Sequence, residues 1–444
     1  MKTYSREQFV KDVTAGIIVA IIALPLSIAL ALASGVGPEA GIFTAIVAGF
    51  VISALGGSSV QIAGPTAAFA TIVAGIVAKN GLDGLVIATI LAGIFLILMG
   101  LCHFGTLIRF IPYTITTGFT AGIAVTIVIG QLKDFFGVIY PDGVKPIETM
   151  EKLHAFVENC GTVNLSAVIV GVVSLAILII SPYIFKKIPG SLLAVVAGIL
   201  MVKFLPLKAS TIGDLYSISN ALPGFHLPAL SFAAVEDAIP NAFTIAVLAA
   251  IESLLSCVVA DGMINGKHRS DMELVAQGAG NIASALFGGI PATGAIARTA
   301  ANIKNGGRTP IAGMVHSITL VLVLVVLMPY AGMIPMPTIA AILFVVAYNM
   351  CQWRPFTHLI QTAPKSDILV LLATFFLTVV FDLVVAIEIG MLLTCLLFMK
   401  RMSDETHVDS WTYVDDDSDA VNDHMQKLAK EIRVYEITGP LFFG

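Results

Sequence analysis

The sequence predicts an all-α polytopic membrane protein built from two inverted repeats, and three observations carry that prediction. The first is composition: of 444 residues, 57% are hydrophobic and only 12% charged, at a mean hydropathy of +0.94. A soluble domain carries about twice that charged share. The second is the length of the apolar runs. No Asp, Glu, Lys or Arg stands between Asp12 and Glu39, or between Glu39 and Lys79, and a spanning helix needs about 20 mainly apolar residues. The third is symmetry: fourteen apolar segments fall into two sets of seven, and the third of each set is too short to span as a simple helix.

In chain order, the polar start MKTYSREQFVKD leads into a first segment near 13–34, long enough to stay in the membrane. Pro25 and Ser27 interrupt it, as expected of a helix beside a site, although membrane helices tolerate proline in any case. The second segment, near 40–56, ends in Ala54-Leu55-Gly56-Gly57. Ser59–Ala63 then reads as extended, and Gly64-Pro65 opens the short third segment, 65–78. Proline at a first helical position loses no intrahelical bond. The amides of Thr66, Ala67 and Ala68 would then point outward without partners. Gln61, just before, can bond a substrate or satisfy the extended backbone beside it. Segments near 83–101, 109–130, 165–185 and 189–205 complete the first set.

The second set lies near 237–260, 273–288, 293–303, 309–330, 334–349, 366–381 and 383–399. Its first member holds Glu252, with Ser253 adjacent and Ser256 one turn on. A carboxylate and a hydroxyl at i and i+4 lie on one side of a helix. In low dielectric such a carboxylate binds a proton or a cation such as Na⁺; the alternative is a structural salt bridge, with Arg298 as one partner. Ala285-Leu286-Phe287-Gly288-Gly289 repeats the run that closes the second segment, and Gly289–Ala292 again reads as extended. Thr293 is placed to cap the short tenth segment, leaving the amides near Gly294, Ala295 and Ile296 free. Arg298 stands one turn inside it. An ionisable residue within a membrane segment is a functional-site hypothesis by default; the alternative is an arginine snorkelling to a loop carboxylate. Asp382 reads as a loop residue or cap, and Glu388 as a packing or oligomer residue.

Seven segments per half turn the second set over relative to the first. Matched interrupted helices in an inverted repeat are the best sequence pointer to a transporter's binding site. Two helix N-termini meeting near the midplane present two positive dipole ends, which suits an anion. The alternative reads both as kinked packing helices whose small residues allow close approach. With the N-terminus inside, the loops of that side collect fourteen Lys and Arg, and the outer loops only Lys79, Lys133, Lys145, Lys152, Lys203 and Lys208. That bias places both termini in the cytoplasm.

After the membrane region (1–400, with repeats near 13–205 and 237–399) comes an acidic stretch, 401–425, read as a linker or short helix. Within 426–444, EIRVYEITGPLFFG alternates apolar and polar residues, a strand signal, and reads as the beginning of a soluble domain too short to bury a core by itself. The chain has no H-E-x-x-H, G-x-S-x-G or P-loop and no basic stripe for nucleic acid. Its five cysteines have neither metal-type nor disulfide-framework spacing. It does not read as an enzyme, and no cofactor is expected beyond a coupling H⁺ or Na⁺.

These residues carry a resemblance. DVTAGIIVAIIALPLSIALA with Asp12, Gly16 and Pro25, then GSSVQIAGPTAA, GFTAGIA at 118–124, ELVAQGAGNIASALFGGIPATGAIART and FDLVVAIEIG are similar, in order, to motifs of the sulfate permease (SulP) family, relatives of the animal SLC26 anion transporters. The resemblance covers essentially the whole chain and is to a bacterial member. It implies a core domain of the first to fourth and eighth to eleventh spans, a gate domain of the rest, an elevator-like movement, a homodimer in the bacterial inner membrane, and a tail that opens a cytoplasmic STAS domain. It further implies that Thr66, Ala67, Ala68 and Phe69, with Thr293, Gly294, Ala295, Ile296, Ala297 and Arg298, line the anion site. Glu252 falls where relatives place the acid used for proton or sodium coupling, and Ser256 where bicarbonate-type relatives place its sodium-binding hydroxyl. The expected function is cation-coupled transport of a sulfate-type inorganic anion. Dicarboxylates such as fumarate or succinate, bicarbonate, and an uncoupled channel or exchanger are the alternatives on the same scaffold.

Overall fold

The computed structural model describes residues 4–106, 113–141, 146–184, 189–205, 207–228 except 217 and 220, 231–381, most of 389–399, and four short strand segments after 406. Asp382, Glu388 and the start of the fourteenth segment lie outside the described residues.

The chain begins with α1 (Arg6–Ala33), whose start is capped by Ser5 accepting the Gln8 amide at 3.1 Å. Next comes α2 (Pro38–Leu55), with proline at its first position and extended Gly56 after its end. A two-residue strand, β1 (Ala63–Gly64), precedes α3 (Ala67–Leu101). Gly81, at φ 70° and ψ −171°, breaks α3 where the third and fourth predicted segments meet, a conformation that glycine adopts at no steric cost. Then follow α4 (Tyr113–Phe136), the amphipathic α5 (Thr149–Glu158), α6 (Leu165–Ile184), α7 (Gly190–Phe204) and the single turn α8 (Ile212–Leu215).

The second half holds α9 (Phe232–Ile264), ended by left-handed Asn265, then α10 (Ser270–Leu286), β2 (Thr293–Gly294), α11 (Ile296–Lys304), α12 (Pro310–Ala331), α13 (Met336–Cys351), α14 (Trp353–Thr362) and α15 (Lys365–Val380). Among the described residues eight helices are long and apolar enough to cross a membrane.

Packing sorts the helices into two bundles. One gathers α1, α2, α3 and α9 to α12; the other gathers α4, α6, α7, α13 and α15. Lipid gives helices no hydrophobic reason to associate, so close backbone approach through small residues has to hold them. Gly93 of α3 and Gly278 of α10 supply it: a Cβ at Gly93 would sit 2.6 Å from the Gly278 carbonyl oxygen. In the second bundle the hydroxyls of Ser174 and Thr338 meet at 2.9 Å between α6 and α13. The seam between bundles is greasy; it encloses a cavity of about 130 Å³ lined by Leu24, Pro25, Ile28, Ile199, Leu327 and Met328 among others. Replacing Gly93 by leucine forces α3 off α10, and we expect a destabilisation of about 1–3 kcal/mol or more, read as a lower melting temperature of the detergent-solubilised protein. An unchanged melting temperature would contradict this packing.

The tail corrects the expectation of a plain linker. β3 (His407–Trp411) pairs antiparallel with β6 (Val434–Thr438), and β4 (Tyr413–Val414) with β5 (Gln426–Lys427). The predicted strand therefore exists as β6, but its partner comes from residues read as linker, because an extended segment needs another to satisfy its backbone groups.

Candidate functional site

The two interrupted helices start from one small sheet. β1 and β2 pair antiparallel, Ala63 against Gly294 and Gly64 against Thr293, so the two halves of the chain meet at the point where each enters its short helix. Beyond the pairing, α3 is led by extended Thr66 and α11 by extended Ala295. The amides of Ala67 and Ala68, and of Ile296, Ala297 and Arg298, occupy the first turns, where no carbonyl four residues back is available. Dipole ends and amides of both helices converge there.

Several predicted details differ. Thr293 does not cap α11: its hydroxyl stands 2.7 Å from Ser253 Oγ on α9 and donates to the Ala249 carbonyl at 3.4 Å. Nor are the amides of Gly294 and Ala295 free, since they donate to Ser253 Oγ at 3.0 Å and to the Ile62 carbonyl at 2.9 Å. The extended segment satisfies its own backbone before the helix begins, so the unpaired amides start at Ile296. Phe69 is wholly buried, and its amide reaches the Thr66 carbonyl at 3.3 Å. Gln61 lies against Gly294 and is tied elsewhere: Nε2 donates to the Ser253 carbonyl (3.1 Å) and to Glu273 Oε1 (3.2 Å), and Oε1 accepts from Cys257 Sγ at 3.4 Å. It thus bonds α9 and α10 instead of the extended backbone beside it.

Arg298 is 1% exposed. Its Nη2 donates to Ser27 Oγ and to the Pro65 carbonyl, both at 3.2 Å, tying α11 to α1 and to the lead-in of α3. Nε and Nη1 have no hydrogen-bond partner among the described residues, and no carboxylate there stands within ion-pair distance. Neither a snorkelling pair with a loop acid nor a bridge to Glu252 is formed. Gly64 lies flush against Nη1, leaving no room for a Cβ.

Glu252, half-buried on α9, accepts from Thr66 Oγ1 at 3.0 Å. Ser256 is not its partner; its hydroxyl donates to Thr299 Oγ1 at 3.4 Å. Residues four apart on a helix point about 40° apart, and here that difference sends Glu252 to α3 and Ser256 to α11. We therefore expect Thr66→Val, which removes the bond that ties Glu252 to the start of α3, to cost about 1 kcal/mol of stability. The melting temperature of the detergent-solubilised protein checks this.

Sequence reasoning assigned no role to two further carboxylates. Glu273 of α10, fully buried, accepts four N–H groups: Gly57 and Ser58 amides on Oε2, Gln61 and Gln277 Nε2 on Oε1. Four donors saturate its lone pairs, which suits a fixed structural carboxylate, whereas Glu252 receives one. Asp12 of α1 accepts from the Arg308 amide at 2.8 Å, the Thr309 amide at 3.3 Å and Thr309 Oγ1 at 2.6 Å, and so caps α12. The available signal was Glu273 and Gln277 at i, i+4 in an otherwise small-residue helix.

The family model described as Sulfate permease family matches residues 9–374. The chain is 42% identical over 453 residues to YvdB of Bacillus subtilis strain 168, whose name marks it provisionally as a sulfate transporter; all of this chain and 82% of that protein are covered. It is 32% identical over 449 residues to the bicarbonate transporter BicA of Picosynechococcus, covering 98% of this chain and 78% of BicA. The solved transmembrane domain of a cyanobacterial BicA superposes with a TM-score of 0.76 at 29% identity, over 86% of this chain and 98% of that one. The murine anion transporter Slc26a9 in its inward-facing state superposes over 100% of this chain and 77% of its own at a TM-score of 0.88. At 18% identity that last likeness speaks to the fold alone, and the fold agrees with the inverted-repeat architecture expected from the sequence.

Proposed function

The chain belongs to the sulfate permease family, and from that premise we propose that it is a secondary transporter of a sulfate-type inorganic anion, coupled to H⁺ or Na⁺ through Glu252. As a family member it is a multi-pass membrane protein and an anion transporter, not an enzyme. The observation that carries the proposal is Arg298: a wholly buried guanidinium in the first turn of α11, with two nitrogens unpaired and no carboxylate beside it among the described residues. A buried cation without a counter-charge is costly, and an arriving anion removes that cost.

Coupling follows from the position of Glu252. Thr66 both leads α3 into its first turn and donates to the Glu252 carboxylate. A negative Glu252 opposes an anion at that helix start; a proton or a sodium ion on Glu252 lifts the opposition. Cation and anion then favour each other's binding by the same factor, which linkage requires to be reciprocal. The apolar seam between the two bundles supports an elevator-like movement in which α1 to α3 and α9 to α12 slide as one body against α4, α6, α7, α13 and α15. A homodimer in the bacterial inner membrane with both termini cytoplasmic belongs to the same proposal.

A second reading, bicarbonate, is favoured by the BicA likenesses. Uptake of radiolabelled sulfate, bicarbonate and fumarate into proteoliposomes, under separate proton and sodium gradients, decides among them. Sulfate accumulating above equilibrium under one gradient is the expected result. Accumulation of bicarbonate or fumarate alone would reassign the substrate, and equilibration that ignores both gradients would replace the symporter by a channel or exchanger.

A further inference from the structure

His316 sits on α12 with its side chain wholly buried, and neither ring nitrogen has a hydrogen-bond partner among the described residues. Its neighbours locate it. Ser317 donates to the Ala45 carbonyl of α2 at 3.2 Å, and a Cβ at Gly313, one turn earlier, would press on Ser53 of α2 and stand 3.5 Å from the tip of Ile62. A side chain at Gly49 of α2 would meet both Ser317 Oγ, at 3.0 Å, and the Ala63 carbonyl of β1, at 3.3 Å. This face of α12 therefore backs onto α2 and β1. Gly64 of β1 is in turn flush against Arg298 Nη1, with Ala45 the next backbone it faces. Ala45 and Gly64 thus link the residue next to His316 to Arg298, and both side chains keep buried nitrogens without a partner among the described residues.

Burial there dictates chemistry. Two buried cations with no carboxylate between them repel, so the imidazole is neutral, with one N–H and one lone pair. Arg298 has N–H groups in want of an acceptor, and buried donors are seldom left unpaired. A carboxylate in this place would hold the guanidinium equally well but cancel its charge. A neutral imidazole holds it and leaves the charge for the substrate.

We propose that His316 is a positioning residue for the anion seat: its unprotonated nitrogen accepts, through one water, from a free N–H of Arg298, and keeps the guanidinium behind the two helix starts with its charge intact. This rests on the anion-seat reading of Arg298. His316 touches no substrate and acts through Arg298.

The test uses the full chain and sulfate, with KM and maximal rate from proteoliposome uptake and affinity from calorimetry, for His316→Leu, His316→Gln and His316→Asp. Leucine removes the acceptor and should raise KM about tenfold with the maximal rate within about twofold, the loss expected for one hydrogen bond to a charged group. Glutamine keeps an acceptor and should stay within about twofold of wild type. Aspartate keeps an acceptor but adds a counter-charge and should lose affinity more than leucine does. Leucine and glutamine variants equal to each other in KM, or an aspartate variant that binds as wild type does, would overturn the proposal. Should the leucine variant fail to give a monodisperse protein, the glutamine-against-aspartate comparison decides alone. Arg298→Ala is measured in parallel: if it leaves sulfate affinity unchanged, the anion seat itself falls, whereas a loss in Arg298→Ala with no response to any His316 substitution sinks only the inference drawn here.

Discussion

Arg298→Ala should lose about thirtyfold or more in anion affinity while the protein still folds. The magnitude follows from removing a desolvated charge that faces a bound charge, worth about 2–5 kcal/mol, or from about thirtyfold upward at 1.4 kcal/mol per decade. Folding should survive because the guanidinium contributes only two hydrogen bonds to the native state, to Ser27 and Pro65, against the desolvation that its burial costs. Arg298→Lys separates the two contributions. Lysine keeps the charge but is a point donor without the planar fork, so it should fall between wild type and alanine. Calorimetric titration with sulfate, alongside a thermal melt, checks all three. An alanine variant that binds like wild type would mean that the helix ends alone hold the anion and that Arg298 is a packing residue.

Glu252→Gln should abolish accumulation and spare exchange. Glutamine resembles the protonated carboxyl in shape and in charge, and it can still accept from Thr66 Oγ1, which now bonds Oε2. The substituted protein is therefore held in its anion-competent form at every pH and sodium concentration. Counterflow of labelled sulfate against unlabelled sulfate should persist at a rate within about tenfold of wild type, since the variant loses at most one hydrogen bond's worth of positioning. Gradient-driven accumulation should vanish. Glu273→Gln should behave differently, because that carboxylate takes four N–H donors and an amide cannot accept them on its nitrogen; two donors left unmet in a buried site predict instability rather than uncoupling.

The two interrupted helices were legible because their signal is local and doubled. A short apolar segment after Ala-Leu-Gly-Gly, and another after Ala-Leu-Phe-Gly-Gly, already imply two helix starts facing each other, and β1 and β2 join at those residues. The buried arginine was legible for the same reason: a cation in an apolar segment stands out against its neighbours. Side-chain destinations were not legible. Whether Gln61 meets a substrate or Glu273 is decided across more than 200 positions of chain, and whether Ser256 meets Glu252 or Thr299 depends on how α9 is rotated against α3 and α11. Periodicity gives the side of a helix and leaves its partner open. Glu273 was hidden for another reason: an acid in the first turn of a helix is ordinary, and beyond Gln277 at i+4 nothing in its neighbours announces the donors arriving from the loop after α2 and the lead-in of β1. In the tail, the alternation that marks β6 is absent from the acidic stretch that supplies β3, so only one of the two paired strands carried a sequence signal.

The coupling between Glu252 and the anion seat is tested most directly by measuring sulfate affinity as a function of pH and of sodium concentration, for the wild type and for Glu252→Gln. The wild type should bind sulfate more tightly as one of the two cations rises, by a factor between about 5 and 150, the usual span of coupling between two sites. Glu252→Gln should show one affinity throughout, close to the cation-saturated value of the wild type. A wild-type affinity that responds to neither cation would contradict the account, because the carboxylate against Thr66 would then carry no cation relevant to the anion, and transport would be uncoupled.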